Sequence, residues 1–178
     1  MTPTIRIASA EDARNIAEVH VESSRRTYAG IFPDFHLNAL SVEKRERLWT
    51  GILTAPDASS VTLVACGSDG RVTGFVDGGR ERTGSLGCDG ELYAIYLLPS
   101  AQRQGLGTRL VRRFAHEMET RGITSMAVWV LALNPSRKFY EALRGSRIAE
   151  RRIERSGQSF AEIAYGWSDL RQFSDHLH

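Results

Sequence analysis

The first third of the chain combines one alternating apolar segment with two helical ones. Ile5 and Ile7 stand on the same side of an extended segment, which predicts a half-buried strand. Ser9 and Asp12 match a capping box, so we expect a helix to open there, and Ser41 predicts the start of a second helix. The predicted order in this part is strand, helix, helix.

The middle of the chain is predicted to contain three consecutive strands. Residues 61–66 and 72–76 are apolar, and the Gly-Ser-Asp-Gly sequence at 67–70 between them is typical of a hairpin turn. Residues 83–89 hold several small residues without apolar periodicity and predict a second hairpin loop. This loop leads into an apolar run with alternating aromatics, residues 92–98, which we expect to be the central strand.

A helix with an apolar stripe follows the central strand after a short turn that contains glycine. Pro99 stops the strand, and Gly105 and Gly107 stand in the turn. The apolar positions on one face of the predicted helix are Leu106, Leu110, Val111, Phe114 and Met118. We expect the rest of the chain to be arranged around this strand, turn and helix.

The C-terminal part adds a strand, a short helix and a hairpin. Residues 124–133 are mostly apolar, residues 135–143 fit a short helix, and residues 148–155 and 159–165 are predicted to pair. The full order, β-α-α-β-β-β-α-β-α-β-β, predicts an α/β (α+β) fold. The sequence shows no repeat, low-complexity tract or linker, so we expect one domain over residues 1–178.

Composition narrows the class of protein. Apolar residues make up 42% and charged residues 25%, as in ordinary globular domains, and the formal net charge is +2. No block of like charge indicates nucleic acid binding, and no apolar run approaches the length of a membrane span. Cys66 and Cys88 form no disulfide framework, the N-terminal sequence lacks a secretory pattern, and only His176 and His178 stand close together. We therefore expect a reduced, cytoplasmic protein without a metal site.

The glycine-bearing turn suits an anionic ligand. N–H groups in the first turn of a helix have no intrahelical partner and lie at the positive end of the helix dipole, and glycines allow a phosphate to approach. A dinucleotide fingerprint would need a third glycine where this chain has Leu110, and no Gly-Lys-Ser or Gly-Lys-Thr is present for a nucleoside triphosphate. A nucleotide-binding enzyme is therefore a distant alternative.

The turn resembles the acetyl-CoA signature of the GNAT superfamily of N-acetyltransferases, Gln/Arg-x-x-Gly-x-Gly/Ala. Gln102, Gly105 and Gly107 occupy its fixed positions, and a strand, Asn134 and the Phe-Tyr pair ending in Tyr140 follow in the order of the family. The resemblance implies a GNAT fold, with a mixed central sheet of six to seven strands that is splayed between strands 4 and 5 and flanked by about four helices. It also implies an N-acetyltransferase that uses acetyl-CoA and attaches the acetyl group to a primary amine by direct attack in a ternary complex.

The resemblance places acetyl-CoA along the end of the central strand, on the glycine turn and beside the short helix. The pantetheine arm would bond to free backbone groups of the strand, and the pyrophosphate to the turn. The residues assigned in this way are Ile95, Tyr96, Leu97, Leu98, Gln102, Arg103, Gln104, Gly105, Leu106, Gly107, Thr108, Asn134 and Tyr140.

Acetyl transfer to an amine needs a base for the ammonium proton and an acid for the departing thiolate. The resemblance assigns the base to Glu91, at the head of the central strand, and the acid to Tyr140. A phenol with a pKa near roughly 10 is protonated at neutral pH and is well matched to a thiol with a pKa near roughly 8.5. Glu22 or a chain of water molecules is the alternative base.

Two roles are open for Asn134. Asn-Pro is a good helix start with proline at the first helical position, so Asn134 is predicted to cap the short helix. The asparagine of the family stands one position earlier relative to the tyrosine, where this chain has Leu133. We therefore expect capping, and a contact with the cofactor stays open.

The acceptor site is expected to lie between the first two helices and their connection. Tyr28, Phe32 and Trp49 offer aromatic surface, and Glu22 offers an attraction for a cationic amine. The acceptor, a small-molecule amine or a peptide or protein amine, stays open, as does a homodimer. A second hypothesis is a GNAT fold that binds acetyl-CoA as a sensor or interaction module without turnover. Retention of both titratable groups argues against it.

Overall fold

The computed structural model describes residues 3–174 and gives this part of the chain seven strands and five α-helices. The strands are β1 (Thr4–Ile7), β2 (Val61–Cys66), β3 (Val72–Arg80), β4 (Gly90–Leu97), β5 (Met126–Leu131), β6 (Ser146–Arg155) and β7 (Gln158–Trp167). The helices are α1 (Ala13–Thr27), α2 (Asp34–Asn38), α3 (Val42–Thr54), α4 (Leu106–Glu119) and α5 (Arg137–Ala142). His176 and His178 lie outside the described residues.

All seven strands belong to one mixed sheet. Their order is β1-β2-β3-β4-β5-β7-β6. Neighbouring strands are antiparallel except for β4 and β5, which are parallel. The predicted mixed sheet is therefore confirmed.

The sheet is open at its parallel pair. β4 and β5 are paired only where Gly90 faces Met126 and Glu91 faces Ala127. Beyond these two pairs the strands separate, while the remainder of β4 stays paired with β3 on its other side. The predicted splay between strands 4 and 5 is confirmed, and it leaves a gap between the ends of the two strands.

Helices cover both faces of the sheet. On one face, the stripe of α4 is fully buried, with Leu110 and Phe114 at 0% exposure, and packs against the sheet together with α5. On the opposite face, Ile16 of α1 and Trp49 of α3 pack against β2 and β3. Burial of each such side chain contributes roughly 1.5–3 kcal/mol, so the two apolar layers fix the helices to the sheet. None of the helices among residues 3–174 is both long enough and apolar enough to cross a bilayer.

Two capping interactions predicted from the sequence are present. Asp12 accepts a hydrogen bond from the Ser9 backbone N–H at 2.8 Å, completing the capping box, and it also binds the Arg6 guanidinium at 2.7 and 2.8 Å. Ser41 Oγ accepts a hydrogen bond from the Lys44 backbone N–H at 3.2 Å at the start of α3. The ion pair between Arg6 and Asp12 joins β1 to the beginning of α1.

Helix α2 is an addition to the predicted elements. Pro33, with a φ of −57°, stands at the N-cap of α2. Proline favours this position because its φ is fixed and it has no N–H to satisfy. The helix is too short to produce an apolar period that the sequence would reveal.

Strand β3 extends to Arg80, whereas the sequence predicted its end at residue 76. The additional residues include Gly78 and Gly79. A Cβ on Gly78 would lie 2.4 Å from the Glu91 carbonyl oxygen and 2.5 Å from the Phe114 ring. The glycine is therefore a strand residue at a place where β3, β4 and α4 approach too closely for a side chain.

Candidate active site

The turn between β4 and α4 leaves backbone N–H groups free for a ligand. Arg103 and Gly105 adopt left-handed conformations with φ of 61° and 76°, and no side chain caps the first turn of α4. A Cβ on Gly105 would meet nothing within 4 Å, so its dihedral angle, and not a lack of space, favours glycine. Arg103 is exposed, Leu106 is buried in the core, and Thr108 is half-buried on α4. This geometry suits a phosphate or pyrophosphate.

Gly107 has a different role from Gly105. A Cβ on Gly107 would lie 3.2 Å from the Phe139 ring. The missing side chain therefore lets α5 pack closely against the start of α4. The sequence predicted that both glycines clear space for a ligand, whereas the structure shows a different role for each.

The two glutamines of the turn hold it in place. Gln102 Nε2 donates a hydrogen bond to the Leu97 carbonyl at 2.9 Å, and Gln104 Nε2 donates one to the Ser100 carbonyl at 2.9 Å. Ser23 Oγ of α1 also donates to the Leu97 carbonyl, at 3.2 Å. The Leu97 carbonyl thus already has two donors, so a cofactor would use other backbone groups of this strand end.

The end of β4 borders the gap with alternating side chains. Ile95 and Leu97 pack on the face covered by α4, and Tyr96 packs on the face covered by α1. Just beyond the strand, the Leu98 N–H donates to the Thr73 carbonyl at 2.8 Å, so it is bonded toward β3. The only one of these side chains with a polar group, Tyr96, therefore lies on the α1 face.

Three tyrosines approach one another where the gap opens. The hydroxyls of Tyr28 and Tyr96 share a hydrogen bond at 3.1 Å. Burial raises the pKa of Tyr140 well above its usual value, and the nearby Tyr96 raises that pKa further. The Tyr140 hydroxyl has no hydrogen-bond partner among residues 3–174. A phenol that stays protonated and has no bonded partner is suited to donate a proton to a ligand.

Helix α5 and the turn before it position Tyr140. Its ring lies 5.4 Å from that of Phe139 in an edge-on arrangement. Asn134 Oδ1 accepts a hydrogen bond from the Ser136 backbone N–H at 2.8 Å, and Asn134 is 5% exposed. The sequence predicted Asn134 as the N-cap, but α5 begins at Arg137 with Ser136 as its N-cap, so the prediction is wrong and the Asn134 side chain closes the turn before the helix instead. A contact between Asn134 and the cofactor stays a prediction.

A partly enclosed cavity of about 220 Å³ lies on the α1 face of the gap. Tyr96 of β4 and Leu131 of β5 both line it, so it sits over the opening between the two strands. The other walls come from α1, α2, α3 and the β6–β7 hairpin. This hairpin is joined to α2 by a hydrogen bond of 2.7 Å between Ser156 Oγ and His36 Nδ1.

The structure places two of the four predicted acceptor residues at the cavity and two elsewhere. Tyr28 and Phe32 line the cavity. Trp49 is 2% exposed and belongs to the core beneath it. Glu22 lies on the exposed side of α1, with its carboxylate 3.9 Å from Arg26, and does not line the cavity.

His20 lines the cavity as a neutral hydrogen-bond donor. Trp49 Nε1 donates to His20 Nδ1 at 3.2 Å. Since an indole nitrogen can only donate, Nδ1 must accept, and the imidazole proton resides on Nε2. Burial, with a contribution from the charge of Arg45, lowers the pKa of His20 to about 3. The imidazole ring of His20 stacks on the Tyr96 ring at a centroid distance of 4.9 Å. Because Nδ1 already accepts a hydrogen bond and Nε2 carries the proton, His20 cannot act as a general base in this tautomer.

Glu91 lies in the closed part of the sheet, away from this cavity. Its side chain is 2% exposed and is covered by Arg82. One carboxylate oxygen accepts from the Arg82 backbone N–H at 3.2 Å and from Nε at 3.0 Å, and Nη2 bonds to the other oxygen. Arg82 in turn lies over the Tyr93 ring at 4.3 Å. A base role for Glu91 stays a prediction, and it requires Arg82 to release the carboxylate.

Six polar residues of the cavity were not predicted from the sequence: His20, Ser24, His36, Arg45, Arg155 and Glu162. For His20 there was a signal, because it stands two helical turns before Tyr28 and therefore on the same face of α1. Arg45 and Arg155 come from distant parts of the chain. No local pattern could have placed them at one cavity.

Comparisons with known proteins agree with this architecture. Residues 85–153 match the family described as FR47-like protein. The uncharacterized N-acetyltransferase YuaI of Bacillus subtilis (strain 168) is 41% identical over 167 residues, which cover 94% of this chain and 94% of that protein. A spermidine N(1)-acetyltransferase of Thermoplasma acidophilum is 26% identical over 132 residues, or 73% of this chain and 79% of that protein.

A solved structure shows the same fold. The PaiA N-acetyltransferase from Thermoplasma acidophilum, in complex with coenzyme A, has a TM-score of 0.71 at 22% identity, with 94% of this chain and 100% of that chain covered. At 22% identity, the similarity to this structure supports the fold alone. The 41% identity to the Bacillus protein supports membership of the family. The chain therefore belongs to the GNAT superfamily of acetyl-CoA-dependent N-acetyltransferases.

Proposed function

We propose that this protein transfers the acetyl group of acetyl-CoA to the primary amine of a small acceptor, by direct attack while both substrates are bound. The observation that carries this proposal is the gap between β4 and β5. A turn suited to an anion, at the start of α4, lies by one end of the gap, and the cavity lined by Tyr28 and Tyr96 lies over the α1 face. Donor and acceptor can thus meet in the gap from opposite sides.

Residues of the turn and of β4 would hold the donor. The uncapped N–H groups of the first turn of α4 would bind its pyrophosphate, helped by the left-handed conformation of Gly105. Backbone groups along the unpaired edge of β4 would bond to the pantetheine amides in the way that a neighbouring strand would.

Tyr140 would complete the transfer. The neutral amine forms a bond to the thioester carbon, the carbon–sulfur bond breaks, and the sulfur takes up the proton of the Tyr140 hydroxyl. The nitrogen, which is cationic after the attack, releases a proton to water in the cavity, and this proton restores the Tyr140 hydroxyl. The unbonded state of that hydroxyl supports this role, and its raised pKa keeps it protonated at neutral pH while making it a weaker acid. The product is the acetylated amine together with coenzyme A in its thiol form.

The proton of the acceptor ammonium would leave through water in the cavity. His20 is held as a donor, and the only carboxylate among the described residues lining the cavity, Glu162, is paired with Arg151 at 2.7 Å. Glu91 is the alternative base, once Arg82 has released it. The two routes differ in their dependence on the Glu91 carboxylate and can be separated by mutation.

The first test is thermal unfolding with and without excess acetyl-CoA, with ATP and NAD as controls. A ligand at one hundred times its dissociation constant stabilises the folded state by about 2.7 kcal/mol, which raises the melting temperature by several degrees in a domain of this size. We expect this shift with acetyl-CoA alone, and thiol release when amines are then added. The absence of a shift would contradict the proposal, and a shift without thiol release from any amine would leave binding without transfer.

A further inference from the structure

The acceptor cavity has three charged lining residues. They are Arg45 near the start of α3, Arg155 at the end of β6 and Glu162 on β7. The imidazole of His20 is neutral and adds no charge. The electrostatic character of the cavity therefore depends on which of these three charges already has a partner.

Glu162 is neutralised from outside the cavity. Its Oε2 accepts a hydrogen bond from Arg151 Nε at 2.7 Å, and its side chain is 14% exposed. Arg151 is itself held by the Trp129 ring, with its guanidinium carbon 4.0 Å from the ring centroid. The carboxylate is therefore not free to attract a cationic acceptor.

Arg45 and Arg155 have no comparable partner. Within residues 3–174, no carboxylate lies within 4.0 Å of either guanidinium. Arg45 is half-buried, and its positive charge helps to lower the pKa of His20 on the cavity wall. Arg155 reaches back over the ring of Phe32, which also lines the cavity, at 5.9 Å. The cavity thus has two cationic groups that no acidic residue balances.

Two guanidinium groups beside a small cavity favour an oxyanion, because their planar forks match the oxygens of such a group. Resting on the proposed function, we infer that the acceptor is a small primary amine that carries a carboxylate, phosphinate or sulfonate close to its amino group. Arg45 and Arg155 bind the oxyanion, and the amino group faces the gap beside Tyr96. A cavity of about 220 Å³ corresponds to roughly seven water molecules, which is the scale of an amino acid.

The same two charges act against a polyamine acceptor. A chain with several ammonium groups would place like charges together, and the cavity offers it no unpaired carboxylate. This chain then differs in acceptor from its relative named as a spermidine N(1)-acetyltransferase. The two arginines also disfavour the protonated form of an amine bound beside them, which helps to form the nucleophile.

The test uses pairs of amines that differ only in the oxyanion. With acetyl-CoA in excess, thiol release is measured for L-methionine and 3-(methylthio)propylamine, for L-phenylalanine and phenethylamine, and for L-lysine and cadaverine. Aminoalkyl phosphinates and sulfonates distinguish the kind of oxyanion, and spermidine represents the polyamines. We expect at least one oxyanion-bearing amine to exceed its partner at least tenfold in kcat/KM, as expected for a charge-assisted hydrogen bond of about 1.5–3 kcal/mol.

Variants connect this preference to the two arginines. Arg45→Gln and Arg155→Gln should each raise the KM of the preferred acceptor by about tenfold or more, while the KM of acetyl-CoA stays unchanged. Arg47→Gln, on the exposed side of α3 and outside the cavity, is the matched control and should leave both constants unchanged.

Three results would overturn the inference. The first is equal or better turnover of the amine without the oxyanion, or of spermidine. The second is a KM for the oxyanion-bearing acceptor that neither arginine variant alters. The third is thiol release from none of the oxyanion-bearing amines. In each case a melting shift with acetyl-CoA would still support the donor half of the proposed function, so the two failures can be told apart.

Discussion

At the scale of single residues, the site is defined by which polar groups already have partners. The Leu97 carbonyl, the Glu91 carboxylate and His20 Nδ1 are all bonded within the chain. The Tyr140 hydroxyl has no partner within residues 3–174, and neither guanidinium of Arg45 or Arg155 has an ion-pair partner there. Groups without partners are the ones available to substrates, so the predictions at this scale concern them and their bonded neighbours.

Replacement of Tyr140 by Phe should lower kcat by about 100-fold and leave the affinity for acetyl-CoA unchanged, because it removes a proton donor and retains the ring. Tyr165→Phe is the matched control, since Tyr165 stacks on Tyr140 at 6.2 Å but bonds to Glu141 on its other side. Steady-state rates and calorimetric titration with acetyl-CoA provide the measurement. Because the pKa of Tyr140 is raised, no loss of activity from its ionisation is expected up to about pH 10. Weaker acetyl-CoA binding at unchanged kcat would instead identify Tyr140 as a binding residue.

Replacement of Glu91 by Gln separates the two routes for the ammonium proton. If the carboxylate is the base, the rate should fall most at low pH, where the amine is hardest to deprotonate. The measurement is kcat/KM against pH, with Glu18→Gln as the control for an exposed carboxylate on α1. A pH–rate profile with an unchanged shape would remove Glu91 from the mechanism and leave water as the acceptor of the proton. The melting temperature should be recorded as well, because the change leaves Arg82 without its partner.

At the scale of elements, the turn at the start of α4 depends on one backbone conformation. Gly105 has a φ of 76° with open space around it, whereas Gly51 lies inside α3, also with nothing within 4 Å of its Cβ position. The same substitution at these two glycines should therefore have opposite effects on stability.

Gly105→Ala should destabilise the protein by about 1–2 kcal/mol, because a side chain disfavours the left-handed conformation, and should weaken acetyl-CoA binding. Gly51→Ala should stabilise it by about 0.5–1 kcal/mol, because alanine favours a helix interior. Urea unfolding measures both effects. Equal effects at the two positions would show that the turn can adopt another backbone conformation.

The same scale shows how far the sequence predicts the structure. The period of α4, the capping box of Ser9 and Asp12, the Ser41 cap and the hairpin between β2 and β3 are local patterns, and each predicted the element that is present. The end of β3 was predicted wrongly, because the closeness of Gly78 to Glu91 arises only when β3 and β4 pair. The cavity was predicted only through Tyr28 and Phe32, since Arg45 and Arg155 meet there through the tertiary fold.

At the scale of the whole molecule, one buried carboxyl group links stability to pH. Asp77 on β3 is 6% exposed and accepts a hydrogen bond from Thr62 Oγ1 at 2.7 Å. Burial raises its pKa to about 6 from an ordinary value of 3.8. The folded-state pKa of Asp77 is higher than the unfolded-state pKa, so the protonated carboxyl adds to the free energy of unfolding. This contribution is complete below about pH 4 and is lost as the pH rises through 6.

Asp77→Asn should therefore stabilise the protein at pH 7.5 by up to about 3 kcal/mol and have little effect at pH 3.5, since asparagine resembles the protonated acid. Glu154→Gln, at an exposed position of β6, is the control and should change neither value. Denaturant unfolding at the two pH values is the measurement. An Asn variant that loses stability equally at both would contradict the assignment of this pH dependence to Asp77.

The gap in the sheet also has a consequence for motion. Hydrogen bonding across the sheet passes from β4 to β5 through only two residue pairs, so β5, β7, β6 and α5 form a part that the backbone network joins weakly to the rest. A bound pantetheine arm would add hydrogen bonds along the open edge and tie the two parts together. Amide hydrogen exchange in β5 should then slow on addition of acetyl-CoA more than in β2, which is paired on both sides. Binding of the donor would in this way order β5, which contributes Leu131 to the cavity wall, before the acceptor binds.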